Sequence, residues 1–209
     1  MSPTVQKMKI AVMASGRGSN FIAIQEAILS GKLKAQIAVL VSDQQGSPVL
    51  RRAEQYGIPT RCFDMKAFAD RAAYETAIVE CLREHAVELV ALAGYMRIVG
   101  PVLLQAYPQR IVNIHPALLP AFPGMHAQRQ AVEYGVKISG CTIHLVDEGV
   151  DTGPVILQAA VPVLPGDDEE RLATRILVEE HKLYPRVLQY FAEGRIEVQG
   201  RQVTIMPPR

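Results

Sequence analysis

Through the first half of the chain, short apolar runs rich in β-branched residues alternate with stretches whose apolar positions recur every three to four residues. That alternation marks βα units feeding a parallel sheet, because such strands are buried on both faces while each helix buries one stripe. Lys9–Ala14 reads as the first strand. Phe21, Ile24 and Ile28 follow at helical spacing, with Ser19 placed to cap the helix and Gly31 to end it. Ile37–Val41 is the next strand, Pro48–Tyr56 a helix stopped by Gly57, and Thr60–Phe63 a short strand. Phe68–His85 carries the clearest stripe, Tyr74, Ile78, Cys81, Leu82 and His85, which should pack on the sheet. Leu89–Leu92 and Arg110–Ile114 are further buried strands with a proline-punctuated connection between them, and Ala127–Tyr134 is a short helix ended by Gly135.

The second half reads differently. Ile138–Val146 and Val155–Val161 are longer strands joined by the turn-rich segment Asp147–Pro154. Asp167 and Asp168 open a long helix whose buried stripe is Leu172, Ile176, Leu183 and Val187. Arg195–Val198 and Gln202–Ile205, split by Gly200, form a terminal hairpin. With no repeat, low-complexity tract or linker, residues 1–209 read as a single domain, 1–8 being a flexible start and 195–209 a C-terminal extension.

Composition narrows the partners. At 49% apolar and 21% charged the chain is an ordinary folded protein, and a formal net charge of +1 provides no global field for nucleic acid or membrane. An anionic substrate must therefore meet a local site. The apolar runs fall far short of the roughly 18 residues a membrane span needs, and the first residues lack a leader pattern. Cys62, Cys81 and Cys141 are odd in number and without metal-ligand spacing, which fits reduced thiols and a cytoplasmic location; Cys81 and Cys141 fall on core positions.

Three segments carry candidate chemistry. Ser15-Gly16-Arg17-Gly18-Ser19-Asn20 lies between the first strand and helix, where a glycine-rich turn lets backbone N–H groups approach an anion. It reads as a phosphate seat, as a tight βα turn, or as the start of a dinucleotide fingerprint. The last reading is weakened by Phe21 in place of the third glycine and kept open by Asp43 at the end of the second strand. In Asn113-Ile114-His115-Pro116, strand alternation sends Asn113 and His115 to one face. An Asn amide there can donate to an oxyanion while a nearby imidazole moves a proton; both can equally satisfy loop backbone. The acidic loop Asp147–Pro154 is either a solvated turn or a carrier presenting a carboxylate to His115 and raising its pKa. His126, His144 and His181 form no ligand pair, and His85 reads as a core residue.

Taken in order, Gly18-Ser19-Asn20, Ala93-Gly94-Tyr95-Met96-Arg97-Ile98, Asn113-Ile114-His115-Pro116 with Leu118-Leu119-Pro120, Asp151-Thr152-Gly153-Pro154 and Glu180-His181 closely resemble the phosphoribosylglycinamide formyltransferases, the folate-dependent transferases of purine synthesis. The likeness runs from about Lys9 to Gly194. It implies an α/β fold: a Rossmann-like open twisted sheet, parallel in the N-terminal half and antiparallel in the C-terminal half, with helices on both faces. It further implies that Asn113 and His115 are catalytic with Asp151 tuning His115, and that Gly18, Ser19 and Asn20 hold the ribotide phosphate while Glu180 contacts its glycinamide-ribose portion. Arg71, Met96, Arg97, Ile98, Val99, Asn113, Asp147, Glu148, Gly149 and Val150 would line the folate site. The implied substrates are 10-formyltetrahydrofolate and glycinamide ribonucleotide, with no metal; a monomer and a homodimer both stay open. Two positions depart from the commoner pattern: Ala117 where Ser often follows the His-Pro pair, and Leu177 where many members are polar. Hydrolysis of the formylfolate, and transfer to another amine, are the rival activities.

Overall fold

The computed structural model describes residues 7–208. Seven strands form one sheet in the order β3-β2-β1-β4-β5-β6-β7. These are β1 (Met8–Met13), β2 (Ala35–Ser42), β3 (Thr60–Cys62), β4 (Leu89–Leu92), β5 (Ile111–His115), β6 (Ile138–Leu145) and β7 (Val155–Pro162). The first five pair in parallel and β6 and β7 are antiparallel. Because β1 to β5 run the same way, their carboxyl ends share one edge, where open α/β sheets bind ligands.

Each face of the sheet has its own core. On one side α1 (Ser19–Leu29), α2 (Pro48–Gln55), α5 (Ala127–Tyr134) and α6 (Glu169–Ala192) pack through Phe21, Ile24, Val49, Ala131, Leu172 and Ile176 onto Ile10, Val12, Val112 and Ile114. On the other, α3 (Arg71–Glu84) and α4 (Pro101–Ala106) pack through Tyr74, Ile78, Leu82 and Leu103 onto Met13, Val41, Leu92 and Ile111. Strand alternation therefore assigns Val112 and Ile114 to the α6 side, and Asn113 and His115 to the opposite face. Tyr184 of α6 is fully buried, its hydroxyl within reach of the Leu92 and Val112 carbonyls at 2.8 and 2.9 Å.

Several local expectations change. The cap of α1 is Gly18, in the left-handed region at φ 75, and Ser19 is the first helical residue. Residues Met65–Ala67 form a 3-10 turn, so α3 starts at Arg71, where Asp70 accepts from the Ala73 N–H at 2.8 Å. The proline-punctuated connection contains α4, a helix of six residues with Pro at its start, too short to show a period. Of the start read as flexible, residues 1–6 lie outside the described residues, and Met8 already opens β1. The C-terminal extension is the hairpin β8 (Ile196–Gln199) and β9 (Gln202–Ile205). Cys81 and Cys141 are buried and Cys62 exposed. His85 is half-buried at the end of α3, its Nδ1 2.8 Å from the Cys81 carbonyl.

Candidate active site

A cavity of about 430 Å³ opens over the ends of β4 and β5, a size suited to a small-molecule ligand. Asn113 and His115 stand on its floor. The loop after β5 turns back so that the Phe122 carbonyl meets His115 Nε2 at 2.8 Å. A carbonyl only accepts, so Nε2 carries a proton. The loop between β6 and β7 folds back over the same face and brings Asp151 Oδ2 to 3.2 Å from His115 Nδ1. Asp151 sits at φ 55, an uncommon conformation for a residue with a side chain. It is held there by the Gly124 N–H, which donates to Oδ2 at 2.8 Å.

The proton balance differs from the sequence-based expectation. His115 is 4% exposed, and this burial holds its pKa below the ordinary histidine range, although Asp151 and the Phe122 carbonyl pull the other way. Burial also pushes the Asp151 carboxyl up, but the His144 ring beside it, the Gly124 N–H that donates to it and the His115 imidazole outweigh it and leave it below the usual carboxylate range. The expected raised pKa at His115 is thereby corrected: Asp151 opposes the desolvation penalty without overcoming it.

His144, set aside in the sequence, belongs to this cluster. It lies opposite Asn113 in the β5–β6 register and is 2% exposed. Its Nδ1 donates to the Leu145 carbonyl at 2.8 Å, which makes Nε2 of the neutral ring an acceptor. Asn113 Nδ2 lies 3.2 Å from that nitrogen and 3.4 Å from Asp151 Oδ1. The amide is thus oriented with its NH2 group inward.

Of the residues read as folate-binding, Met96, Arg97, Ile98, Val99, Asn113, Asp147, Gly149 and Val150 line the cavity. Met96 and Ile98 are 66% and 60% exposed, which sets them apart from the core they could have joined. Glu148 faces a separate shallow depression beside Leu104 and Gln109. Arg71 is off the wall as well: it binds Glu75 at 3.1 Å and the Ile98 carbonyl at 2.6 Å, bracing the segment that does line it. Glu169 is on the wall without having been singled out, joined to Arg129 at 2.8 Å.

Gly18, Ser19, Asn20 and Glu180 form a neighbouring group outside this cavity wall. Asn20 Nδ2 donates to Glu180 Oε2 at 2.8 Å, and Asn20 Oδ1 is buried with no partner among the described residues. Burial pushes the Glu180 carboxyl up, with the Asn20 donation opposing. The N-terminus of α1 has no side-chain cap and no acid in its first turn, so its first N–H groups keep their positive end uncompensated. The group borders the cavity through Ser15, whose N–H donates to the Gly94 carbonyl at 3.0 Å. Asp43 is 4% exposed and already engaged by Ser15, Gln44 and Arg97, which leaves no carboxylate for a dinucleotide ribose. Ala117 is buried, its carbonyl taking the Thr142 hydroxyl at 2.7 Å, and Leu177 is half-buried on α6. Among the described residues no helix is long and apolar enough to cross a membrane, and no group of three or more His, Cys, Asp or Glu is placed to hold a metal ion.

The formyl transferase family matches residues 8–188. A phosphoribosylglycinamide formyltransferase of Bacillus subtilis is 51% identical over 181 residues, 87% of this chain and 93% of that protein. The structure of glycinamide ribonucleotide transformylase 1 from Symbiobacterium toebii superposes with a TM-score of 0.95 at 49% identity, over 96% of this chain and 95% of the other. A formyltetrahydrofolate deformylase from Pseudomonas syringae pv. tomato superposes with a TM-score of 0.89 at 28% identity, over 97% of this chain but 67% of that one. Sequence and fold coincide along most of the chain, and the chain belongs to the formyl transferase family, among the phosphoribosylglycinamide formyltransferases.

Proposed function

We propose that the chain moves the formyl group of 10-formyltetrahydrofolate onto the amine of glycinamide ribonucleotide, giving formylglycinamide ribonucleotide and tetrahydrofolate. The observation that carries the reading is the convergence of Asn113, His115 and Asp151 on one cavity beside an uncapped helix N-terminus. The amine is the nucleophile, and no covalent enzyme intermediate is needed. As it attacks the formyl carbon, negative charge develops on the formyl oxygen. Asn113 directs one N–H at His144, and the second, held only by a long 3.4 Å contact with Asp151, is the donor available to that oxygen. An oxyanion contact of this kind contributes about 2.7–4 kcal/mol in a preorganised site.

The attacking nitrogen must lose a proton and the departing folate nitrogen must gain one. His115 and Asp151 hold a place for it: Nε2 keeps its proton on Phe122, and Nδ1 faces the carboxylate across 3.2 Å. The pair takes the proton from the amine and gives it to the folate nitrogen. The lowered pKa of His115 favours the second step, because a weaker base releases the proton more readily.

Gly18, Ser19 and Asn20 are assigned to the ribotide phosphate on the strength of the open N-terminus of α1. The unpartnered Asn20 Oδ1 calls for a donor, which a ribotide N–H or hydroxyl can supply beside Glu180. Met96, Ile98 and Val150 offer the exposed apolar surface a folate ring requires. Free cysteines, one exposed, fit a cytoplasmic setting.

The second reading is hydrolysis of the formylfolate, favoured by the likeness to the Pseudomonas syringae deformylase. Following tetrahydrofolate release with and without glycinamide ribonucleotide separates the two. Turnover that depends on the ribotide supports transfer, and equal turnover without it overturns the proposal.

A further inference from the structure

Asp43 directly follows β2 and touches neither His115 nor Asn113, yet it is among the most heavily engaged carboxylates of the described residues. Its Oδ1 accepts from the Ser15 hydroxyl at 2.5 Å, and its Oδ2 from Arg97 Nε at 2.8 Å and Gln44 Nε2 at 3.0 Å. Ser15 in turn accepts from the Met96 N–H at 2.9 Å. Two consecutive residues of the cavity wall, Met96 and Arg97, therefore hang on one buried carboxylate, the first by its backbone through Ser15 and the second by its side chain. Ser15 opens the loop that leads to Gly18, so the same carboxylate also fixes where that loop begins.

The guanidinium is constrained on all but one side. Nη1 contacts the Met65 sulfur at 3.4 Å, and the group lies 5.8 Å from the centre of the Tyr74 ring. Arg97 Nη2 makes no hydrogen bond among the described residues, and the side chain is 30% exposed, on the cavity wall. Asp43 thus removes Nε from the choice of partners and presents Nη2 to a ligand in a fixed direction. An arginine fork is rigid and planar, so fixing Nε fixes the aim of the other donors.

We propose that Asp43 is a positioning residue for the folate substrate, acting through Arg97 and, by way of Ser15, through the Met96 backbone. The inference rests on the folate reading of this cavity. Its effect belongs to binding rather than to the chemical step, because the groups that move the proton and hold the oxyanion stand on β5 and on the loop between β6 and β7. Preorganisation of this kind lowers the ordering cost that a ligand otherwise meets on binding.

Asp43→Asn keeps the shape but sets an amide NH2 among donors. The expected result is a roughly tenfold rise in both the KM for 10-formyltetrahydrofolate and the dissociation constant of tetrahydrofolate, with kcat at saturation within about threefold. Ser15→Ala cuts only the arm to Met96 and is expected to raise both constants about threefold at unchanged kcat; it serves where Asp43→Asn does not fold. Combining the two should cost no more than Asp43→Asn alone, as one network requires. Unchanged folate constants in a folded variant, a fall in kcat at constant KM, or multiplicative effects in the double variant would each overturn the proposal. A wild-type protein that binds tetrahydrofolate without transferring formyl groups would sink the functional reading while leaving this binding test intact.

Discussion

His144 faces Asn113 across the β5–β6 pair, with Nε2 3.2 Å from Asn113 Nδ2 and Nδ1 committed to the Leu145 carbonyl. The neutral imidazole can accept only at Nε2, so it determines which end of the Asn113 amide points inward. His144→Leu removes that acceptor. We expect kcat to fall by about 100-fold, the cost of a mis-set catalytic group, while the KM for the ribotide changes little. Steady-state kinetics with both substrates varied checks this, and full activity in the variant would show that Asn113 needs no such support.

The pH dependence of kcat/KM follows from the His115–Asp151 pair. Burial holds the His115 pKa below its usual value, and the pair must be free to accept the amine proton. Activity should therefore rise with pH through an apparent pKa below the unperturbed value of about 6.5. Asp151→Asn removes the charge that pulls the His115 pKa upward, so this limb should move to still lower pH as kcat drops. A limb that stays in place would disconnect the two residues.

The same shift acts on stability. Between the folded pKa of His115 and its unfolded value of about 6.5 the unfolded chain binds more protons, so this contribution to stability weakens as pH falls through that window. Asp151 has a lowered carboxyl pKa, and what it adds is lost at more acid pH still, as pH falls through its own folded value. Thermal unfolding of the wild type and of His115→Gln across this range should converge toward the acid side; parallel curves would count against a buried neutral ring.

Gly18 adopts φ 75, and a Cβ there would run into the Val49 side chain. Gly16, two residues earlier, has open space around the corresponding position. Gly18→Ala should destabilise the fold by about 1–3 kcal/mol, as expected for a residue forced into the left-handed region, whereas Gly16→Ala should leave the melting temperature nearly unchanged. Equal melting temperatures for the two variants would remove the steric argument.

Tyr184 places one hydroxyl against the Leu92 and Val112 carbonyls in the core. Tyr184→Phe keeps the ring and deletes the donor, at an expected cost of about 1–3 kcal/mol for leaving a buried acceptor unsatisfied. Denaturant unfolding would measure it, and a neutral substitution would mean that the strand pairing satisfies both carbonyls unaided.

Much of the fold was legible because its signals are periodic and local. The runs at Lys9–Ala14 and Leu89–Leu92 lie within a residue of β1 and β4, and alternation along β5 placed Asn113 and His115 together. Where a signal spans fewer residues than a period, as in α4, it stays silent. Composition puts the cap of α1 one residue late for a related reason: Ser19 has the composition of a cap, but the chain turns one residue earlier, where only glycine fits against Val49.

The sequence by itself determined the order of the strands and of every helix but α4, the shared face of Asn113 and His115, and, through the likeness of its ordered motifs, the family. Tertiary structure decided what surrounds them. Asp151 and His144 join the pair only through the β5–β6 register and a loop that folds back across it. Arg71 and Glu148 turn away from the cavity, and Asp43 becomes the anchor of its wall. Each of these depends on groups far apart along the chain meeting in a buried place, where desolvation and direction set protonation and orientation, and local periodicity carries no record of either.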